Sequence, residues 1–359
     1  MSRAFIAAAL VAAACGAGAA DDPGHRSKSG EFPPPGSARR IDGELVGADF
    51  VHRTGQFRTA AGALKDFTLP PYGIIRYLGT DADLRDVPLG SWCRFSLHQD
   101  ARGGFTRLAV LQDQFSADAA EGVTYRVDEI KPAEGTVLTT RHAAADLGKT
   151  KLVVTADTRV WKAGRSARLA DLADGDELLV NLAGVTGTDP GRCTDVWAGA
   201  DSYKRATEAQ QQRHAAFLKA RGLAGWVDRT EGWTLTVTLF GGDRAAFERA
   251  WAKDFAVDRA VHVVVANDEL RTWNPPVDNE RGKIVEVLRD PADGFGRSGL
   301  RLRVTVNFML EGFRRGRVVR VFAGGWPVKD QPFGEQLFHY GARSFPPELA
   351  ELPPKEYPG

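Results

Sequence analysis

Apolar and polar residues alternate at 41–46, 125–130, 223–227 and 282–288, the pattern of half-buried strands. The alternation is clearest at 300–308, where Leu300, Leu302, Val304, Val306 and Phe308 share one parity and Arg301, Arg303, Thr305 and Asn307 the other. Short apolar runs at 92–97, 151–154, 177–182 and 317–322 read as further strands. Period-two patterning this dense predicts a mainly β protein of small antiparallel barrels. Two stretches break it. Residues 204–221, free of Pro and rich in Ala and Gln, predict a helix that Asp201 or Ser202 caps and Gly222 ends. Its apolar face, Ala209, Ala216, Phe217 and Ala220, is thin, which suits a surface connector. Residues 243–255 predict a second helix, with Phe247, Trp251 and Phe255 at i, i+4 and i+8 as a packing face that plugs a barrel.

The chain repeats itself. Leu84 to Gly90, Leu169 to Gly175 and Leu310 to Gly316 share the pattern Leu-x-x-apolar-x-x-Gly, each followed directly by a strand-like run. A short helical turn explains it: the Leu and the apolar fourth residue plug a barrel base, and Gly takes a positive-φ position before the strand. The first two copies lie 85 residues apart and the last two 141, so the third module carries an insertion. These spacings divide the chain into an export signal (1–20), a Pro-rich linker (21–39), a first barrel module (40–121), a second (122–203), the connector helix (204–221), an enlarged third module (222–342) and a Pro-rich tail (343–359).

From Lys151 to Leu182 the second copy resembles a bacterial family of exported small β-barrels of unknown function. The resemblance rests on a Val-rich strand, the Thr158-x-Val160 segment, and Leu169-x-Asp171-Leu172-x-x-Gly175-Asp176 before a final strand. The first copy fits loosely, and the third departs, with Gly312 in place of the Asp and Arg317 after its Gly. The resemblance implies OB-like architecture and an exported location, and no activity.

Arg3 followed by an Ala-rich apolar run and small residues up to Ala20 has the layout of a secretory signal, too short for a membrane span. Cleavage after Ala19 releases a soluble chain. Cleavage before Cys15 leaves a lipidated cysteine, since residues 10–15 resemble a lipoprotein box in which Ala12 replaces the preferred larger aliphatic. The expected location is periplasmic or extracellular, with a lipid-anchored form as the alternative, and the mature chain has no transmembrane span.

Without Cys15, only Cys93 and Cys193 remain, an even pair that can form a disulfide in an oxidising compartment or stay as two buried thiols. Across all 359 residues, 47 basic side chains against 46 acidic leave a net charge of +1, so no global field recruits nucleic acid or an anionic membrane.

Motifs with chemistry are scarce. Gly294-x-Gly296-x-x-Gly299 matches a dinucleotide fingerprint in letters, yet a strand follows it where a helix is needed, so it reads as a hairpin loop and no nucleotide is expected. The seven histidines never fall at metal-ligand spacing, and no calcium-loop, Gly-x-Ser-x-Gly or His-Glu-x-x-His pattern occurs. Neither a cofactor nor a metal is expected. Trp273 before Asn274-Pro275-Pro276 and Trp326 between Gly325 and Pro327 sit among loop-forming residues, which makes them candidates for ligand stacking.

Charge is uneven in one place. Residues 281–330 hold eleven basic against five acidic side chains, and Arg301 and Arg303 share one sheet face, suited to an anionic envelope polysaccharide or an envelope protein. The sequence therefore predicts an exported, non-enzymatic binding or scaffold protein. A cell-envelope or polysaccharide hydrolase is the enzymatic alternative, and an assembly or adaptor lipoprotein, reaching the membrane only through Cys15, the third.

Overall fold

Three closed β-barrels follow one another along the chain in a computed structural model that describes residues 32–34, 37–186, 189, 191–242, 244–289 and 296–337. The expected export signal with Cys15, the whole Pro-rich tail, and Gly294 of the hairpin loop lie outside the described residues.

The first barrel is a ring of β1 (Arg39–Asp49), β2 (Thr54–Thr59), β3 (Leu64–Thr68), β7 (Phe105–Asp113) and β6 (Trp92–Gln99). It closes through a parallel contact of Thr68 with Arg107, and the hairpin β4 (Ile74–Tyr77) and β5 (Thr80–Ala82) extends it beyond β7. The second repeats that order with β8 (Thr124–Lys131), β9 (Thr136–His142), β10 (Asp146–Lys162), β13 (Arg192–Ala198) and β12 (Glu177–Ala183). Its parallel seam runs between β10 and β13, and β11 (Arg165–Ala167) pairs beside it. Five strands in the order 1-2-3-5-4, with the third and fifth parallel and the fourth returning to the first, form an OB-like barrel. The sheets of these two barrels are thus antiparallel apart from that seam in each and the parallel pairing of β4 with β7 in the first.

The third barrel departs from that plan. β14 (Leu223–Glu231), β15 (Thr234–Phe240), β16 (Ala260–Ala266), β17 (Asn279–Arg289), β18 (Arg297–Val306) and β19 (Val318–Ala323) close in the order β14-β15-β18-β17-β16-β19, every pair antiparallel. The first, second and fourth positions of the OB order survive in β14, β15 and β19. β16 occupies the place of the fifth strand beside β19, reached from the opposite direction, and β17 fills the remaining gap to β18. This is the insertion that the wider spacing of the third repeat announces.

At the repeat itself the three barrels agree atom for atom. Gly90, Gly175 and Gly316 have φ of +86°, +82° and +78°. Their amides donate to the carbonyls of Leu45, Val127 and Val227 in each barrel's first strand, at 2.8 Å in all three. Those same residues donate back to Ser91, Asp176 and Arg317 at 2.8–2.9 Å, the two-against-one pairing of a glycine bulge. The plugging residues Leu84, Val87, Leu172, Leu310 and Phe313 are buried, and Leu169 packs against the second core. A Cβ on Gly175 meets nothing within 4 Å. Gly175→Ala should therefore cost only the left-handed backbone penalty, about 1–2 kcal/mol, read as a lower urea midpoint.

Helices join the barrels. α1 (Gln114–Glu121), unforeseen in the sequence, starts where the buried Asp113 carboxylate accepts from Ser116 N at 2.9 Å. The same carboxylate accepts from Leu78 N at 3.2 Å and from Asn181 Nδ2 of β12 at 2.8 Å, bridging the first two barrels. α2 (Ala200–Arg221) begins after Gly199 and is more than a surface connector. Tyr203 and Ala206 pack on the first core, Ala215 and Leu218 on the third, and Gln210 is fully buried. α3 (Arg244–Trp251) ends one turn early, but Phe247, Trp251 and Phe255 are all buried in the third core, as their spacing predicts.

Of the two states open to the cysteine pair, the structure has the buried thiols, and the Pro-rich linker departs from a plain spacer. Cys93 and Cys193 are free thiols, because strand placement buries them in the separate cores of the first and second barrels. Burial pushes Cys193 up to about 12 and Cys93 well above the usual thiol range. Both should resist a thiol reagent at neutral pH until urea is added, and the unreduced mass should show no bridge. The linker is not wholly solvated either. Pro33 is buried, and Phe32 packs edge-on to Trp226 at 4.8 Å and beside Tyr72 and Phe240, in an aromatic cluster between the first and third barrels.

Candidate anion-binding cleft

Where the first barrel, the C-terminal end of α2 and the third barrel meet, a cleft of about 140 Å³ opens beside that aromatic cluster. The turn from β1 to β2 contributes Phe50 and Arg53, the β4–β5 hairpin Asp81 and, just beyond it, Asp83, and α2 His214, Phe217 and Arg221. From the third barrel come Arg320 of β19 and the loop 269–271, with Glu335 following on a 3-10 turn, Phe333–Glu335.

Two guanidiniums in this cleft are buried and held by carbonyl oxygens, with no carboxylate on them among the described residues. Arg53 donates to Leu69 O at 3.2 Å and Pro70 O at 3.0 Å. Arg320 donates twice to Leu270 O, at 3.1 and 2.9 Å, and to Arg221 O and Gly222 O at 3.1 and 3.2 Å, capping the end of α2. Burial lowers Arg53 to about 10; burial, then Arg221 and Arg53 themselves, lower Arg320 to about 9, and both remain charged at neutral pH. The backbone around them is strained: Arg53 has φ +54°, and Leu270, whose carbonyl Arg320 grips, has φ +60°. Left-handed non-glycine residues concentrate at functional sites.

The remaining cleft charges are paired. Arg76 contacts Asp81 at 3.2 Å, Arg85 contacts Asp83 at 3.8 Å, and Arg271 contacts Glu269 at 3.6 Å. Glu335 is held by Arg85 at 3.0 Å and by Arg221. Burial alone would raise the Glu335 carboxyl, but Arg221 and Arg85 outweigh it and hold the group below its usual value. His214 is largely enclosed, burial lowers its pKa, and its Nδ1 has no hydrogen-bond partner among the described residues. The cleft's acids are thus tied to other arginines, and Arg53 and Arg320 have only carbonyl oxygens in direct contact among the described residues.

No protein-family model and no curated protein matches the chain. Among solved structures, the chain titled drosophila Unr CSD456 is similar, at 14% identity over 56% of this chain and 78% of that one, with a TM-score of 0.17. So slight a likeness leaves the OB-like assignment resting on the strand order and the parallel seams.

The residues singled out in the sequence lie elsewhere. Arg301 and Arg303 do share the outer face of β18, but carboxylates from β17 and from the end of β14 reach Arg303. Arg303 donates to Glu286 at 2.8 Å and to Glu231 at 3.3 Å, and Glu231 also contacts Arg229 at 3.2 Å. Arg301 is engaged as well. That face is a mixed-charge network, and it supplies no support for an anionic polysaccharide. Trp326 is buried, edge-on to Trp251 at 4.9 Å and Phe255 at 5.3 Å, because the loop after β19 folds back over the barrel end. Trp273 is half-buried against the same core. Neither presents the open aromatic platform expected of it.

Among the described residues, no group of three or more His, Cys, Asp or Glu side chains could hold a metal, and no helix is long and apolar enough to cross a membrane. A wider groove of about 810 Å³ runs between α2 and the second barrel past Trp161, but its buried Asp195 is matched by Arg159 at 2.7 Å. Sequence reasoning passed over Arg53 entirely. Arg320 did leave a trace, a single charge inside a strand whose six residues are all buried.

Proposed function

We propose that the chain is an exported, non-enzymatic binding protein whose cleft between the first barrel, α2 and the third barrel receives an anionic group. The observation that carries this reading is the pair Arg53 and Arg320, both buried on carbonyl dipoles with no carboxylate in direct contact among the described residues, Asp83 and, for Arg320, Glu335 acting on them only at longer range. Removing a charge from water without a counter-charge is costly, and an entering anion relieves that cost for both guanidiniums at once. Position supports it too, since the turn after the first strand is a ligand-binding loop in OB-like barrels. Export rests on the basic start, the apolar run and the small residues of 1–20. Cys15→Ser separates a soluble chain from a lipid-anchored one, because loss of membrane association marks the lipoprotein.

Sulfate tests the cleft. It should raise Tm in proportion to the logarithm of its concentration, beyond chloride at matched ionic strength, and Arg53→Gln should abolish the increment. Because sulfate also stabilises folded proteins generally by exclusion from their surfaces, the deciding comparison is between proteins, and a sulfate increment as large in Arg53→Gln as in wild type would overturn the reading.

A further inference from the structure

Glu335 occupies a clamp built for a carboxylate. Arg85 comes from the first barrel and Arg221 from the end of α2, and both guanidiniums lie over the ring of Phe217, each 5.5 Å from its centroid. Stacking on a shared aromatic ring fixes the planes of two forks that would otherwise sample many rotamers, and pre-oriented forks suit a planar carboxylate. One Glu335 oxygen meets Arg85 and the other Arg221. Both forks line the same cleft as Arg53 and Arg320.

The segment that delivers Glu335 is held on weakly. None of the residues of its 3-10 turn is buried, and Phe333 is 71% exposed. Its anchor lies just beyond, where Leu337 N donates to Thr272 O at 2.8 Å and Arg271 donates to Gln336 O at 2.6 Å. A turn secured by one charged side chain and a short main-chain anchor, with little apolar burial, belongs to the low-stability end of a fold. It can release its carboxylate while the anchor holds.

We propose that Glu335 is an internal stand-in for the ligand, so that the cleft's ligand is an organic carboxylate with an apolar body, and that the ligand binds by displacing Glu335 from the Arg85–Arg221 clamp. This rests on the anion-receptor reading above and adds the ligand class and the competitor. Phe50 and Phe217 supply the wall for the apolar body.

Benzoate is the probe and benzamide its neutral counterpart, titrated into the full chain by calorimetry. Glu335→Gln keeps the side-chain shape and removes the competing charge, so benzoate should bind it about tenfold more tightly than wild type, while benzamide binds neither. In the wild-type protein, saturating benzoate should speed amide exchange at 331–337 and slow it at 214–221, a readout that does not depend on the variant folding. Equal benzoate affinity in wild type and Glu335→Gln, with sulfate still stabilising both, would overturn the stand-in and leave the anion receptor intact. Benzamide binding as tightly as benzoate would overturn the carboxylate class. No response of either protein to sulfate or benzoate would remove the underlying reading together with this one.

Discussion

Trp251→Ala is expected to destabilise the third barrel by about 3–5 kcal/mol, the usual consequence of truncating a buried large aromatic. Trp251 is 4% exposed, meets Trp326 edge-on, and stands between Phe247 and Phe255 in the plug formed by α3 and the turn after it. Lys219 of α2 lies over its ring at 5.9 Å, so the loss should also loosen α2 against the third barrel. Urea unfolding followed by tryptophan fluorescence should show an early transition. An unchanged midpoint would mean that the stripe does not seal the barrel.

Asp113→Ala should have an effect of similar size on the junction of the first two barrels. The substitution strips the acceptor from Leu78 N, Ser116 N and the Asn181 amide in a fully buried setting. Each orphaned donor costs about 1–3 kcal/mol, so a net loss of about 3 kcal/mol or more follows after relaxation. Asp113→Asn should be nearly as harmful, because its amide N–H would face donors. The pH dependence has a definite sign. Burial is the largest influence on Asp113 and raises its pKa, and the hydrogen bonds from Ser116 and Asn181 only partly offset this. Its titration therefore contributes stability that is full below the unfolded value near 3.8 and is lost as pH rises through the higher folded value. Across that window the stability advantage of wild type over Asp113→Asn should narrow, and above it stay constant. A difference that instead grows steadily from pH 4 to pH 7 would contradict the assignment.

The candidate site was only faintly legible in the chain. Alternation places Arg301 and Arg303 correctly on an outer face, yet parity says nothing of which strands flank β18. Glu286 arrives there from the flanking β17 and Glu231 from the end of β14, one strand further along, and both pair with Arg303. Arg320 interrupts the run Val318, Val319, Val321, Phe322, where a charge needs partners, but those partners are carbonyls at 221, 222 and 270. Arg53 sits in an ordinary-looking turn, and its carbonyl partners, Leu69 and Pro70, are distant in sequence.

By itself the sequence determined the local features: strands wherever apolar residues alternate, a glycine turn at 90, 175 and 316, and the buried stripe of Phe247, Trp251 and Phe255. These depend on backbone sterics and on which side of an element is apolar, and both are written into neighbouring residues. The tertiary structure alone decided the parallel seams, the substitution of β16 for a fifth strand, the burial of Trp326, the separation of Cys93 from Cys193, and the meeting of Arg53 with Arg320. Each of those depends on which distant surfaces come together when the barrels close and pack around α2. Side-chain periodicity specifies the face that must be covered, and the covering partner is chosen by long-range geometry.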